Sequence, residues 1–388
     1  MKVLFTRFPL ASRYGGAEVQ TVSLMKGLMK RGHAAAFLGS CPTILDLCSR
    51  DGLIAAELQI GPPPVTKWHA LSFAWRRGMM RKKLEAAIAE FGGLDAVCML
   101  SLSEKLLLTP FALQKGIRVL WIEHDRAGRW LAKNPWLPAL RRLSTSVTTV
   151  TVSERSREML MDMGWEPERV VAIPNGIDAL RIANNELCHD SFFILHDSLR
   201  VGTLARLSPD KGVDVLTSAV EGMPEASLTV VGTGSEEGML RNWMATINDR
   251  EALPSPRLRI IGHVENLGSF YGDLDAFVLA SREHDPFGMA AAEAMLCKTA
   301  TIVTNACGIA VYLENGRDAL VVPAGDAQAL REALKRLSNV EFRKRIAEQG
   351  QKTAMEKFSM EKMVDAYEQC LMDFPSLVKN ERENKGAF

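Results

Sequence analysis

The sequence predicts an α/β protein made of two doubly wound domains, and three observations predict it. Short apolar runs of strand length alternate with helix-length segments along the whole chain, the pattern that gives parallel sheets covered by helices. The 388 residues exceed what a single hydrophobic core usually organises. Near the middle, the turn signal Pro174-Asn-Gly-Ile-Asp178 and the irregular stretch Asn184-Asn-Glu-Leu-Cys-His-Asp190 divide the alternation in two. The expected domains are therefore 1–178 and 179–359. In such sheets ligands lie outside the carboxyl ends of the strands, so a ligand is expected in the cleft between the two domains.

In the first half the predicted strands are 2–6, 34–38, 96–100, 118–122 and 148–152, with helical patterns such as Glu18 to Arg31 between them. Tyr14-Gly15-Gly16-Ala17-Glu18 follows the first strand and opens the first helix, where glycines let backbone N–H groups approach an anion. His124 follows the fourth of these strands, a position where histidine is most simply a satisfied hydrogen-bonding residue.

The second half repeats the rhythm with predicted strands at 200–204, 227–231, 258–261, 276–279, 300–303 and 319–322. After the first of them, Arg206-Leu-Ser-Pro-Asp-Lys211-Gly212 sets two cations five residues apart across a proline turn. A guanidinium that binds bidentately beside a mobile ammonium suits a diphosphate. Gly232-Thr-Gly234 and Ile261-Gly262-His-Val264 are further strand-end turns. After strand 276–279 comes Ser281-Arg-Glu-His-Asp285-Pro-Phe287-Gly288-Met289-Ala-Ala-Ala-Glu293-Ala-Met295, a loop into a helix. Pro286 fixes its own φ, Gly288 admits close backbone approach, and the helix start offers free N–H groups to a phosphate or sugar hydroxyl. Asp285 and Glu293, eight residues apart, can turn carboxylates toward the same end of the sheet. Residues 360–372 read as a last helix and 379–388 as a disordered polar tail.

Composition narrows the class. Hydrophobic residues at 47% and charged residues at 24% are ordinary for a globular enzyme. Seven scattered cysteines without a C-x-x-C pair argue against a disulfide framework or a zinc site and for a reducing cytoplasm. The opening residues do not read as a secretion signal, and no run is long and apolar enough to span a bilayer. The net charge of +1 divides unevenly: through Asp178 there are 24 Lys and Arg against 16 Asp and Glu, afterwards 23 against 30. The first half is the one suited to an anionic surface or substrate, and nothing points to nucleic acid.

The segment around Asp285 and Glu293 resembles the signature of the family 4 retaining glycosyltransferases, "E-x-F-G-x-x-x-x-E-A-M", with Asp285 where the family has its first Glu. The shorter acid draws the oxygens back by about 1.5 Å. Arg206 and Lys211 match the family's pyrophosphate clamp, Gly15 to Glu18 its "G-G-x-E" loop, His124 a histidine facing the donor sugar, and Pro174 to Asp178 its hinge. The resemblance implies a GT-B fold of two Rossmann-like domains, with a C-terminal helix of about 360–378 crossing back to the first domain. It implies a nucleotide-diphosphate sugar donor, UDP- or GDP-linked, and transfer with retention to a hydroxyl of a glycan or glycolipid in lipopolysaccharide or surface-polysaccharide synthesis. On it, His124, Arg206, Lys211 and Asp285 are the catalytic set. Gly16, Gly232, Gly262, Val264, Phe287, Gly288, Met289 and Glu293 are the donor set, and Gly15 and Arg13 lie on the acceptor side. Asp273-Leu-Asp275, which resembles a metal-binding D-x-D, opens a strand and takes a structural part in the family; no metal and no cofactor is expected.

Residues 66–83 and 126–142 interleave tryptophans with cations, a composition that suits contact with an anionic membrane surface from the cytoplasmic side, or an ordinary amphipathic helix with its aromatics in the core. Two other functions share the architecture. A nucleotide-sugar 2-epimerase should lack the clamp paired with the acidic turn, and a noncatalytic nucleotide-sugar-binding homologue is the reading suggested by Asp285 in place of Glu.

Overall fold

A computed structural model of the protein describes residues 1–10, 15–124, 129–179, 182, 198–251 and 256–372, with backbone only at 129 and 130. The chain divides into two compact units, one of Met1–Ile173 joined by the segment from Met360 onward, the other of Pro174–Ser359.

The first unit holds a seven-stranded parallel sheet of β1 (Lys2–Arg7), β2 (Ala34–Gly39), β3 (Ile54–Glu57), β4 (Ala96–Met99), β5 (Arg118–Glu123), β6 (Thr148–Thr151) and β7 (Val170–Ala172), in the order 3-2-1-4-5-6-7. The strand order reverses between β1 and β4, the switch point of a doubly wound sheet. Sequence periodicity does not reveal β3 and β7. Both are edge strands of four and three residues, and β3 is largely solvated, so neither shows a buried apolar run. The buried faces of β1, β4 and β5 pack on opposite sides into two clusters, one around Trp121 and Phe73, the other around Phe5 and Phe37.

The last helix, Met360–Met372, completes the second of these clusters with Met363, Val364, Tyr367 and Leu371. It lies against helix Gly16–Lys30 closely enough that a Cβ on Gly27 would meet Val364 Cγ2 at 2.3 Å. Glu368 anchors it by accepting from Arg31 Nη1 at 2.6 Å and pairing with His33 Nε2 at 2.8 Å. The tail 379–388 lies outside the described residues.

The second unit has a six-stranded parallel sheet of β8 (Leu199–Leu204), β9 (Ala226–Val231), β10 (Leu258–Ile261), β11 (Ala276–Leu279), β12 (Ala300–Thr304) and β13 (Leu320–Val322), ordered 10-9-8-11-12-13. Its switch point lies between β8 and β11. Their register is Ala276 on Val201 and Phe277 on Gly202 and goes no further, although β8 runs on to Leu204 and β11 to Leu279. The two carboxyl ends thus run beyond their ladder, at the place where such sheets bind ligands. The chain crosses between units at adjacent points, since Ile177 N donates to Phe358 O at 2.7 Å. Asn175 of the expected hinge is buried there.

Candidate active site

The cation loop after β8 and the acidic loop after β11 are fastened to each other. Asp210 O accepts from Arg282 N at 2.9 Å and from Glu283 N at 3.4 Å. Gly212, at φ +62°, sits so close to the end of β11 that an added Cβ would lie 2.2 Å from Ala280 O. This approach brings Lys211 Nζ to 2.6 Å from Asp285 Oδ2, with the two side chains 19% and 12% exposed. Ser281 Oγ donates to the same oxygen at 3.3 Å. The loop after β12 fixes Asp285 from the other side: Asp285 N donates to Ala306 O at 3.1 Å and Gly308 N to Asp285 O at 2.8 Å.

Arg206, the other expected cation, is 55% exposed and reaches Asp210 Oδ2 at 3.4 Å and Ser208 Oγ at 3.2 Å. Burial raises the Asp210 carboxyl, but the Ser208 hydroxyl, Lys211 and Arg206 outweigh it and hold the acid below its ordinary range. Both cations therefore lie against carboxylates, so an anionic ligand has to compete with Asp285 for Lys211 and with Asp210 for Arg206.

Gly288 begins helix Met289–Leu296 at φ +106°, a left-handed conformation that favours glycine. Met289 is half-buried at the first helical position. Glu293 is buried on this helix and accepts a hydrogen bond from the fully buried Tyr271 hydroxyl at 2.9 Å. Phe287, expected among the donor contacts, has a core side chain: its ring packs edge-on against Phe358 at 5.4 Å, and its carbonyl accepts from Ile309 N at 2.6 Å.

Gly232 has a packing reason of its own. At φ +144° an added Cβ would lie 1.9 Å from Ala205 O, and one on Gly234 2.1 Å from Leu207 O. These two glycines let the loop after β9 rest on the backbone that carries Arg206. Gly262 is exposed at the end of β10, with the nearest atom to an added Cβ at 3.7 Å, and Val264 is buried close by. No packing demand at Gly262 competes with a ligand role.

In the first unit Gly15 is the N-cap of helix Gly16–Lys30, in extended backbone at φ −158°, and Gly16 is exposed at its first turn. Arg13, Tyr14 and Asp125 lie outside the described residues. His124 is buried just after β5. Beside it, the buried Lys105 Nζ donates to Glu123 Oε1 at 2.7 Å and to Ile122 O at 3.2 Å. Arg7 ends β1 and pairs with Glu18 at 2.8 Å, both side chains under 8% exposed. Glu104, in a capping box with Ser101, is fully buried. Burial pushes its carboxyl up to about 7, against the backbone N–H groups, Lys105 and Arg7, which pull it down. The Ser101-Leu-Ser-Glu104 pattern is a capping-box signature readable in the sequence; the Arg7–Glu18 and Lys105–Glu123 pairs depend on strand order and are not.

The D-x-D segment sits at the opposite, amino end of β11. Burial raises Asp275, but hydrogen bonds from the Arg200 side chain and backbone, with Arg343 nearby, bring it below its ordinary range. Among the described residues no cluster of three or more His, Cys, Asp or Glu is arranged for a metal ion.

For residues 126–142 the described side chains bear on the second of the two readings, aromatics turned into the core. Trp136, within 126–142, is half-buried and held inward: its indole N–H donates to Ala70 O at 2.8 Å and its ring meets Phe73 edge-on at 5.0 Å. Leu137 and Leu140 are buried with it, so this segment turns its apolar side into the protein. Residues 126–128 of it, and the side chains of 129 and 130, lie outside the described set.

Two doubly wound units, the second with a paired cation loop and acidic turn at its switch point, make this a protein of the GT-B fold. The chain matches the model of glycosyl transferases group 1 over residues 187–353 and that of glycosyltransferase family 4 over 14–181. It belongs to the family 4 glycosyltransferases. It is 28% identical over 220 residues to the lipopolysaccharide core biosynthesis glycosyltransferase LpsE of Rhizobium meliloti, covering 56% of this chain and 62% of that protein, short of two thirds of its length. It is 26% identical over 302 residues to the lipopolysaccharide core biosynthesis mannosyltransferase LpcC of Rhizobium leguminosarum, covering 74% of this chain and 77% of that protein. The Anabaena HepE crystal structure in complex with UDP superposes with a TM-score of 0.78 at 18% identity, over 96% of this chain and all of that one, a likeness of fold.

Proposed function

We propose that the protein is a retaining glycosyltransferase. Its second unit binds a nucleotide-diphosphate sugar, UDP- or GDP-linked, and it transfers the sugar to a hydroxyl of a glycan or glycolipid acceptor in lipopolysaccharide or surface-polysaccharide synthesis. The observation that carries the reading is the Lys211–Asp285 pair at 2.6 Å, which joins the loops after β8 and β11 at the switch point of the sheet. A diphosphate arriving there takes over Lys211 and Arg206, and Asp285 is released to accept from a donor-sugar hydroxyl. Glu293, oriented by Tyr271, accepts from the ribose.

The acceptor oxygen bonds to the anomeric carbon on the face from which the diphosphate leaves. As the carbon–oxygen bond to the phosphate breaks, its electron pair stays on the phosphate, which takes the acceptor proton. Arg206, Lys211 and the N–H groups at Gly288 stabilise the charge that grows on the phosphate, the kind of term that dominates much enzymatic catalysis. Gly15, Gly16 and His124 of the first unit are assigned to the acceptor and sugar side. No metal takes part in this reading, so excess chelator should leave turnover unchanged. The names LpsE and LpcC support the acceptor class, and the HepE complex supports UDP as the donor's nucleotide. Thermal-shift screening of nucleoside diphosphates and nucleotide sugars tests the donor assignment. At least one should stabilise the protein, and the shift should disappear in Lys211→Ala; no stabilisation by any of them would remove the reading.

A further inference from the structure

The carboxyl end of the first sheet holds charged side chains that the transfer chemistry leaves unused. Arg7 ends β1, Glu18 lies on helix Gly16–Lys30, Glu104 and Lys105 lie in the first turn of helix Leu102–Gln114 after β4, and Glu123 ends β5 beside His124. Arg7, Glu18, Glu104 and Lys105 are buried, and Glu123 is half-buried. Burying charges in this way seldom stabilises a fold more than apolar residues of the same volume would. Buried ionisable groups that act on one another gather instead at functional sites. In a doubly wound sheet this end, beside the switch point between β1 and β4, is where ligands bind.

The charges say what kind of ligand this end takes. Arg7 is paired with Glu18 at 2.8 Å and Lys105 with Glu123 at 2.7 Å. Glu104, pushed up to about 7 by burial, adds either no charge or one negative charge near neutral pH. These residues have no positive charge to spare, so they suit a neutral hydroxyl better than a phosphate or carboxylate. Glu123 is the member that a ligand can reach, since its side chain is 20% exposed. Lys105 Nζ, buried, also donates to Ile122 O at 3.2 Å and so holds the carboxylate from inside the protein. Among the described residues Lys105 is the one side-chain donor on it. A carboxylate has about four acceptor positions, and hydroxyls of a sugar can use those that Lys105 leaves.

We propose that Glu123 binds a hydroxyl of the acceptor sugar and that Lys105 is its positioning residue. The proposal rests on the transferase reading only in calling that sugar the acceptor; the binding is measured with no nucleotide present, so either can fail alone. Losing one hydrogen bond to a charged group corresponds to at least about tenfold in affinity.

The test is a ligand-observed NMR titration of the full chain with the methyl α-glycosides of glucose, galactose, mannose and N-acetylglucosamine, and with methyl glucuronide and glucose 6-phosphate as anionic counterparts. At least one neutral glycoside should bind, and more tightly than the anionic counterparts. Glu123→Gln should weaken that binding at least about tenfold. Because this change leaves the Lys105 ammonium buried against an amide, Glu123→Gln/Lys105→Met removes both charges together. The double variant should keep the wild-type circular dichroism and unfolding midpoint and still bind at least about tenfold more weakly, which a merely structural ion pair would not produce. No binding by any neutral glycoside, tighter binding of the anionic ones, or wild-type affinity in the double variant would overturn the proposal. Glycoside binding that depends on Glu123, in a protein that no nucleoside diphosphate stabilises, would remove the transferase reading and leave Glu123 as a sugar-binding residue.

Discussion

Replacing the two cations after β8 separately should divide stability from catalysis, because the structure gives them different surroundings. Lys211 is 19% exposed and 2.6 Å from Asp285, itself 12% exposed. Lys211→Ala leaves that carboxylate with the Ser281 hydroxyl at 3.3 Å as its remaining side-chain donor. Breaking a fully buried pair costs about 3–5 kcal/mol, and an exposed pair contributes about 0–1 kcal/mol. For this partly buried pair we expect a loss between those limits, about 2 kcal/mol. Asp285→Asn in the Lys211→Ala background should recover part of it, because the uncompensated charge is gone. Arg206, 55% exposed, should cost less than about 0.5 kcal/mol of stability on conversion to Ala. In turnover both variants should fall by about 10²–10³, the loss typical of removing one group that stabilises charge in the transition state. Nucleoside diphosphate release measures turnover, and urea unfolding measures stability. Either variant retaining turnover within tenfold of wild type would refute the phosphate role of that cation.

Further outcomes follow from the same structure. Gly232→Ala should cost at least about 1–3 kcal/mol through strain, and lower turnover with it, because its Cβ would lie 1.9 Å from Ala205 O and displace the backbone before Arg206. Unfolding within about 0.5 kcal/mol of wild type would contradict this packing. Tyr271→Phe removes the hydroxyl held by Glu293. KM for the donor should rise about tenfold with a smaller change in kcat, as for a positioning residue lost from ground-state and transition-state binding alike; an unchanged KM would separate Glu293 from the donor. The Glu104 carboxyl titrates near 4.5 when unfolded and about 7 when folded, so between those values the native state binds the extra proton and stability falls as pH rises. Glu104→Gln should therefore match wild type below pH 4.5 and exceed it above pH 7, by a margin on the order of 3 kcal/mol. Parallel urea midpoints across that range would show that Glu104 does not titrate this way.

Much of this was legible because its signals are local. Each predicted strand coincides with an observed one to within about two residues, since a strand buried on both faces shows as an apolar run. The acidic turn and the cation loop carry proline and glycine at positions where the backbone needs them. Other features depend on distance through space. Lys211 and Asp285 are 74 residues apart and meet because β8 and β11 are neighbours at the switch point. Gly232 looks like a ligand-loop glycine in sequence, and only the neighbouring Ala205 carbonyl shows that loop-to-loop packing requires it. The same limit governs the tryptophans. Trp75 and Trp136 stand in similar basic, apolar surroundings along the chain, yet one is exposed and the other is bound to Ala70 O against Phe73.

The most direct test of the account supplies the purified protein with a nucleotide sugar that stabilises it, with and without a truncated glycan or glycolipid acceptor, and follows both products. A retaining transferase should release nucleoside diphosphate only when acceptor is present, form one glycosidic bond per diphosphate, and keep the donor's anomeric configuration in the product by NMR. An inverted anomer would contradict the retaining mechanism. Diphosphate release without acceptor and with a 2-epimeric sugar would point to an epimerase, and tight donor binding with no product would leave a noncatalytic binding protein.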